Sequence, residues 1–316
     1  MNRRASIRSR VLRGIALNRQ PGLHFPGNFL DVSFDRVGRG ASRLSIDPGP
    51  WCAQADGQAD LSSLAMLADL ALAVCMRARL GRATRLATVS MHLQFTGVPR
   101  LGRLVADSEF QEFFRGSAGR LGMSRVEVAG RAGQVCHGSG SFMALDPPQH
   151  VTLHPVPLRS RKSPEPLRLD EDHLRPEERK ILGRADSALT ARGAFIDDFW
   201  GIRPRNGECT LENGLHVGNR VGHAQGGILF GMAATTACSA LPPGWMLSGI
   251  SAWYISPGEA TVLRARSKVV HQGRLTAVVR TQVTGKNRRR VLEVVTTHCA
   301  GAIANSARAP SHGRSR

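Results

Sequence analysis

The chain has 316 residues, enough for two domains of ordinary size, each with its own core. Its net charge of +19 is nearly all arginine, since lysine occurs only at positions 162, 180, 268 and 286. The arginines are spread through both halves, a single tyrosine is available to stack on bases, and no helix-turn-helix, zinc-finger or RNA-binding signature occurs, which sets nucleic-acid recognition aside.

Residues 1 to 22 are basic and lack the apolar stretch of a secretory signal; they read as a flexible extension whose Arg/Ser bias resembles a transit peptide. A strand-like segment, 28 to 47, precedes DLSSLAMLADLALAVCMRARLG, residues 60 to 81, whose apolar spacing predicts a helix. Ala65, Met66, Leu72 and Ala73 surround Asp69 at helical intervals, so its carboxylate lies on the apolar face. Burial there raises a carboxylate's pKa toward that of a general base, the competing reading being an aspartate bonded to a neighbouring hydroxyl in an ordinary core. Strands follow at 87 to 97, from 121 to a turn at Gly130, and at 134 to 145.

Residues 146 to 180 are rich in proline and charge and read as a linker ending in a short polar helix; helical spacing and compact structure return over 181 to 201. Next comes GHAQGGILFGMAATTACSALPP, 222 to 243, in which Gly226 and Gly227 open an apolar helix. With no side chains to block approach, the free N–H groups of that first turn can hold an anion or a polarised carbonyl, aided by the helix dipole. Three long strand-like runs complete the half, at 247 to 258, 263 to 285 and 288 to 302.

The two halves repeat each other in order. Helix 60 to 79 matches helix 226 to 241, the strand at 87 to 97 matches 249 to 258 with Phe95 opposite Tyr254, and Gly119-Arg120-Leu121 matches Gly273-Arg274-Leu275. Each triplet is followed by two strands meeting at Gly130 or Gly285.

The second half resembles the hotdog-fold acyl-CoA thioesterases of the phenylacetyl-CoA thioesterase (PaaI-like) type, whose pattern is Asn, six residues, His-Gly-Gly at a helix start, then a helical Asp. Asn219, Gln225, Gly226 and Gly227 fall on that pattern, with glutamine for histidine; Ala234 stands where the acid belongs. The first half has the acid, Asp69, but carries Asp60-Leu61-Ser62 in place of His-Gly-Gly. The resemblance implies an α+β tandem, or double, hotdog fold. In each unit a long central helix is wrapped by an antiparallel sheet, and the units pair as a pseudo-dimer. Expected boundaries are 1 to 157 and 191 to 305 for the hotdog units, 158 to 190 for the linker and short helix, and 306 to 316 for a disordered tail.

The same resemblance implies one composite site hydrolysing acyl-CoA to free acid and CoA. Asp69 acts as base or nucleophile, the Gly226 and Gly227 N–H groups as oxyanion hole, Asn219 and Gln225 as orienting groups, and Thr88 as a water-positioning hydroxyl. Lys286, Arg288 and Arg289 suit the phosphates of CoA, or form a solvated hairpin tip. Two rivals stay open, a non-catalytic acyl-CoA sensor or carrier and a hotdog 3-hydroxyacyl dehydratase. LHFPGNF, 23 to 29, resembles the His-Phe-Pro of such dehydratases, but the intervening strand-like segment makes His24 an access-loop residue, while His223 lies beside the glycine pair, in contact with substrate or exposed on its loop.

No metal or added cofactor is expected, CoA being part of the substrate. The six cysteines form no C-x-x-C pair and suit a reducing, cytoplasmic setting. No apolar run reads as membrane-spanning. A homodimer of double-hotdog chains is left open.

Overall fold

The structure, a computed structural model, describes residues 3 to 147, 149, 151 to 160 and 169 to 301. Eleven antiparallel strands form one sheet in the order β1-β2-β4-β5-β6-β3-β8-β11-β10-β9-β7. In the first half these are β1 (Ser33–Val37), β2 (Ala41–Ile46), β3 (Arg85–Phe95), β4 (Leu104–Phe113), β5 (Leu121–Gly130) and β6 (Gly133–Leu145). In the second they are β7 (Glu208–Glu212), β8 (Trp245–Tyr254), β9 (Val262–Gln272), β10 (Thr276–Thr284) and β11 (Arg290–Ala300). Among the described residues six α-helices accompany them: α1 (Arg3–Asn18), α2 (Phe25–Phe29), α3 (Leu61–Leu80), α4 (Pro176–Thr190), α5 (Phe195–Trp200) and α6 (Gly226–Ser239).

The order reads the same outward from the join between β3 and β8, apart from the extra β1, so the internal repeat is also the architecture. Aligning Phe95 with Tyr254 sets His92 on Ser251 at the same offset, and those two residues are register partners across the join. The axis relating the halves therefore passes between them. Each half is a long helix against its share of the sheet, and the two share one core: an α+β double hotdog.

α3 forms because Asp60 caps it, accepting from Ser62 N at 3.0 Å and Ser63 N at 3.1 Å, and because its apolar residues find partners nearly all round. Sheet lies on one side and α6 on the other. The helix crossing is close because it uses glycine. A Cβ on Gly227 would stand 2.6 Å from Met66 N and Cα, and one on Gly231 would collide with the Ser62 backbone. The repeat relates these two contacts to each other.

Several expectations need correction. The run at 263 to 285 is a hairpin, β9 and β10, turning at Gly273, so four strands follow α6 instead of three. The segment at 28 to 47 holds the end of α2 and a β1-β2 hairpin. The N-terminal segment read as flexible is α1, burying Ile7, Val11 and Ile15, and its basic side chains meet the acidic ones read as linker: Arg8 pairs with Glu171 at 2.6 Å and with Asp186, and Arg19 with Glu178 at 2.7 Å. Much of 158 to 190 is thus the helix α4 docked on α1. α3 itself is long and apolar enough, by length and composition, to cross a membrane, contrary to the reading of the apolar runs, but 94% of its 18-residue apolar window is buried inside the protein. The expected tail, 306 to 316, lies outside the described residues.

Candidate active site

Asp69 occupies the middle of α3, 7% exposed, and both carboxylate oxygens are engaged. Oδ1 accepts from Thr88 Oγ1 at 2.9 Å, and Oδ2 accepts from Gln225 Nε2 at 2.9 Å. Thr88 comes from β3 of the same half; Gln225 comes from the other half. Gln225 is the N-cap of α6, its Oε1 accepting from Ile228 N at 3.0 Å. It therefore orients the carboxylate and caps the helix, and its carbonyl is not available to substrate.

The loop before α6 delivers that cap. Asn219 Oδ1 accepts from Val221 N at 2.9 Å and His223 N at 3.1 Å, while Ala224 N and Gln225 N donate to Gly258 O and Val217 O, each at 2.9 Å. The Asn219 carbonyl is committed to its own loop, leaving only its NH2 group to face a ligand. Tyr254, the one tyrosine in the chain, donates from its hydroxyl to Gly226 O at 2.9 Å.

Burial pushes the pKa of Asp69 up, against the opposing pull of the Thr88 hydrogen bond, the Arg77 charge and the Gln225 hydrogen bond. Tyr254 is pushed well above the usual phenol range by burial and then by the Asp69 charge, so it stays a neutral donor. At the helix start, Gln225 satisfies Ile228 N, and among the described residues neither Gly226 N–H nor Gly227 N–H meets an acceptor.

Asp69, Thr88, Asn219, Gln225 and Gly226 line one cavity of about 310 Å³. Gly227 does not line it, and the close crossing with Met66 explains its missing side chain. His223 lines the cavity as well, half-buried. Lys286 and Arg289 line a separate cavity of about 570 Å³ that shares Pro257 with the first; Arg288 lines neither, and Arg289 pairs with Glu259 at 3.1 Å.

His24, Arg77, Arg220 and Tyr254 also line the first cavity, and sequence reasoning gave none of them a place in the site. His24 is not an access-loop residue. It is the buried N-cap of α2, and its Nδ1 accepts from Gly27 N at 3.1 Å. Arg77 carried a readable signal, standing two turns beyond Asp69 on the same helix face. Arg220 is placed by a loop whose path only packing sets.

At the repeat-related position, Asp60 caps α3 as Gln225 caps α6, but the residue of α6 that matches Asp69 in the repeat is Ala234, which has no carboxylate to orient. Among the described residues the aspartate, threonine and glutamine therefore come together in one of the two repeat-related places.

No protein-family profile matches the sequence, and no curated protein matches it. Among solved structures, a provisionally named oleoyl thioesterase of Lactobacillus plantarum is similar with a TM-score of 0.53 over 83% of this chain and 96% of that one, at 10% identity. The tesB protein of Mycobacterium avium subsp. paratuberculosis gives 0.50 over 84% and 95%, at 12% identity. A hotdog-fold protein of unknown function from Alicyclobacillus acidocaldarius gives 0.51 over 86% and 96%, at 9% identity. At such identities the likeness is one of fold: the chain is a double hotdog whose structural neighbours include proteins named as thioesterases.

Proposed function

We propose that the protein is an acyl-CoA thioesterase of PaaI-like type acting at one composite site, in the cytoplasm and without metal or added cofactor. The observation that carries this reading is the buried Asp69 carboxylate, held by Thr88 from its own half and by Gln225 from the other, beside a helix start whose first N–H groups have no acceptor among the described residues. Asp69 takes a proton from water, and the resulting hydroxide attacks the thioester carbonyl carbon. The N–H of Gly226, which lines the cavity, holds the oxyanion, with the positive end of the α6 dipole and the Gly227 N–H, unpaired among the described residues, behind it. Collapse then breaks the C–S bond, and the departing thiolate takes the proton back from Asp69. Direct attack by Asp69, followed by hydrolysis of the anhydride, uses the same groups. Asn219 offers its NH2 group to the acyl oxygen or the water. Lys286 and Arg289, joined to the site through Pro257, receive the CoA phosphates, and Arg288 adds charge from outside that cavity.

The tautomer of His24 speaks against the dehydratase alternative. A neutral ring whose Nδ1 accepts from Gly27 N carries its proton on Nε2 and presents no lone pair to a substrate. The test is CoA release, read as free thiol, across short, long and aryl acyl-CoAs in excess chelator. Turnover is expected, unchanged by the chelator; tight binding with no release from any substrate would make the protein a sensor or carrier.

A further inference from the structure

The cavity is unequally lined. Near Ile255, 53% exposed, and Pro257 it is open, whereas Leu23, His24, Arg77 and Val156 form a buried part. The same cavity is lined by donors that meet no side-chain acceptor among the described residues. Arg77 is 9% exposed; its Nε donates to Thr84 O at 3.3 Å, and among the described residues its guanidinium makes no ion pair. Arg220 binds only a backbone oxygen, His154 O at 2.5 Å, and makes no ion pair among the described residues. His24, with Nδ1 committed to Gly27 N, offers only Nε2–H.

A buried guanidinium without a carboxylate partner is costly, and two arginines in one cavity oppose each other. Burial, then Arg220, pulls the Arg77 pKa down to about 10, and burial followed by the charges of Arg77 and Arg220 pulls His24 down to about 3. Asp69 offsets part of the Arg77 charge from a distance, but its oxygens bond Thr88 and Gln225 and, among the described residues, make no ion pair with either arginine. The spacing fits a ligand that reaches from one group to the other. Eight residues of α3 separate Asp69 from Arg77, a rise of about 12 Å, and an arginine side chain leans back toward the helix N-terminus.

Building on the thioesterase reading, we infer that the preferred acyl group ends in a second carboxylate, far from the thioester, held by Arg77 with Arg220 and His24. The thioester carbonyl then lies at Asp69 and Gly226, a short chain crosses the apolar lining, and the distal carboxylate takes up the donors of the buried end. The substrate class is the CoA monothioester of a short dicarboxylic acid.

The experiment compares succinyl-, glutaryl- and adipoyl-CoA with butanoyl-, pentanoyl- and hexanoyl-CoA, matched carbon for carbon, in the wild type and in Arg77→Met and Arg77→Lys. Wild-type kcat/KM is expected to favour the carboxylate-ended member of at least one pair by about 10- to 100-fold, the worth of a charged hydrogen bond. Arg77→Met should erase that ratio and Arg77→Lys retain part of it. Equal loss on both members of a pair would mean that Arg77 acts only through Asp69, and would overturn the inference. Calorimetric binding of the same six compounds and of CoA alone to Asp69→Asn separates this inference from the hydrolytic reading. Absence of turnover with selective binding of the carboxylate-ended members removes only the hydrolase. Equal binding within every pair, or an Arg77 dependence already complete with CoA alone, removes the distal carboxylate.

Discussion

Gln225 donates to Asp69 at 2.9 Å although 156 residues separate them in the chain. The same side chain caps α6 through Ile228 N, so one residue sets where the second central helix begins and which way the carboxylate of the first one points. A site split this way works only while the two halves stay paired through β3 and β8.

Replacing Asp69 by Asn keeps the shape and removes the base. Turnover should fall by about 10² to 10⁴-fold, the usual worth of a general base, with the fold retained. Steady-state thiol release alongside a thermal melt checks both halves of that statement; wild-type turnover in the variant would dismiss Asp69 as the base.

Thr88→Val should move the pH profile in a known direction. Asp69 works ionised, so the rate falls as pH drops through its raised pKa. Thr88 stabilises the ionised form, and removing its hydroxyl raises that pKa further, carrying the acid limb of kcat/KM to higher pH. An acid limb that stays in place would show that the threonine does not act on the carboxylate.

The two glycines at the start of α6 should separate by experiment. Gly227→Ala places a Cβ 2.6 Å from the Met66 backbone and should lose about 1 to 3 kcal/mol or more, lowering the melting temperature. At Gly226 a Cβ meets only the Tyr254 ring at 3.4 Å and Thr88 at 3.5 Å, so Gly226→Ala should fold and chiefly slow turnover. Melting temperatures and rates measured on the pair decide it, and equal destabilisation by both substitutions would refute the distinction.

Asp60 gives a stability prediction with a definite sign. Burial raises its pKa to about 6, so the folded state prefers the protonated acid. That contribution is complete below the unfolded pKa of about 4 and is lost as pH rises to about 6. Asn caps a helix as well as Asp and has no charge to bury. Asp60→Asn should therefore gain up to about 3 kcal/mol relative to wild type between pH 4 and pH 8. Urea denaturation at the two pH values measures the gain, and parallel behaviour of both proteins would contradict the assigned cause.

What the sequence determined by itself is what repeats or is local. Matching helices and the Phe95 and Tyr254 alignment are enough to read two repeated units, which the resemblance carried by Asn219, Gly226 and Gly227 makes hotdogs, and Asp69 on an apolar helix face is a local periodicity. The split of 263 to 285 into β9 and β10 is legible only through the repeat, which starts a new strand after Gly273-Arg274-Leu275, because period-two alternation runs through both strands. The order of α1 escaped because what packs on Ile7, Val11 and Ile15 belongs to other elements, and the partners of Arg8, Glu171 and Asp186, lie more than 150 residues away. Tertiary structure alone decided that Gln225 is hydrogen-bonded to Asp69, that Gly227 is a helix-crossing residue, and that His24, Arg77 and Arg220 share a cavity. Those are relations between side chains on different elements. Spacing along the chain does not encode them; the register of β3 on β8 and the crossing of α3 with α6 do.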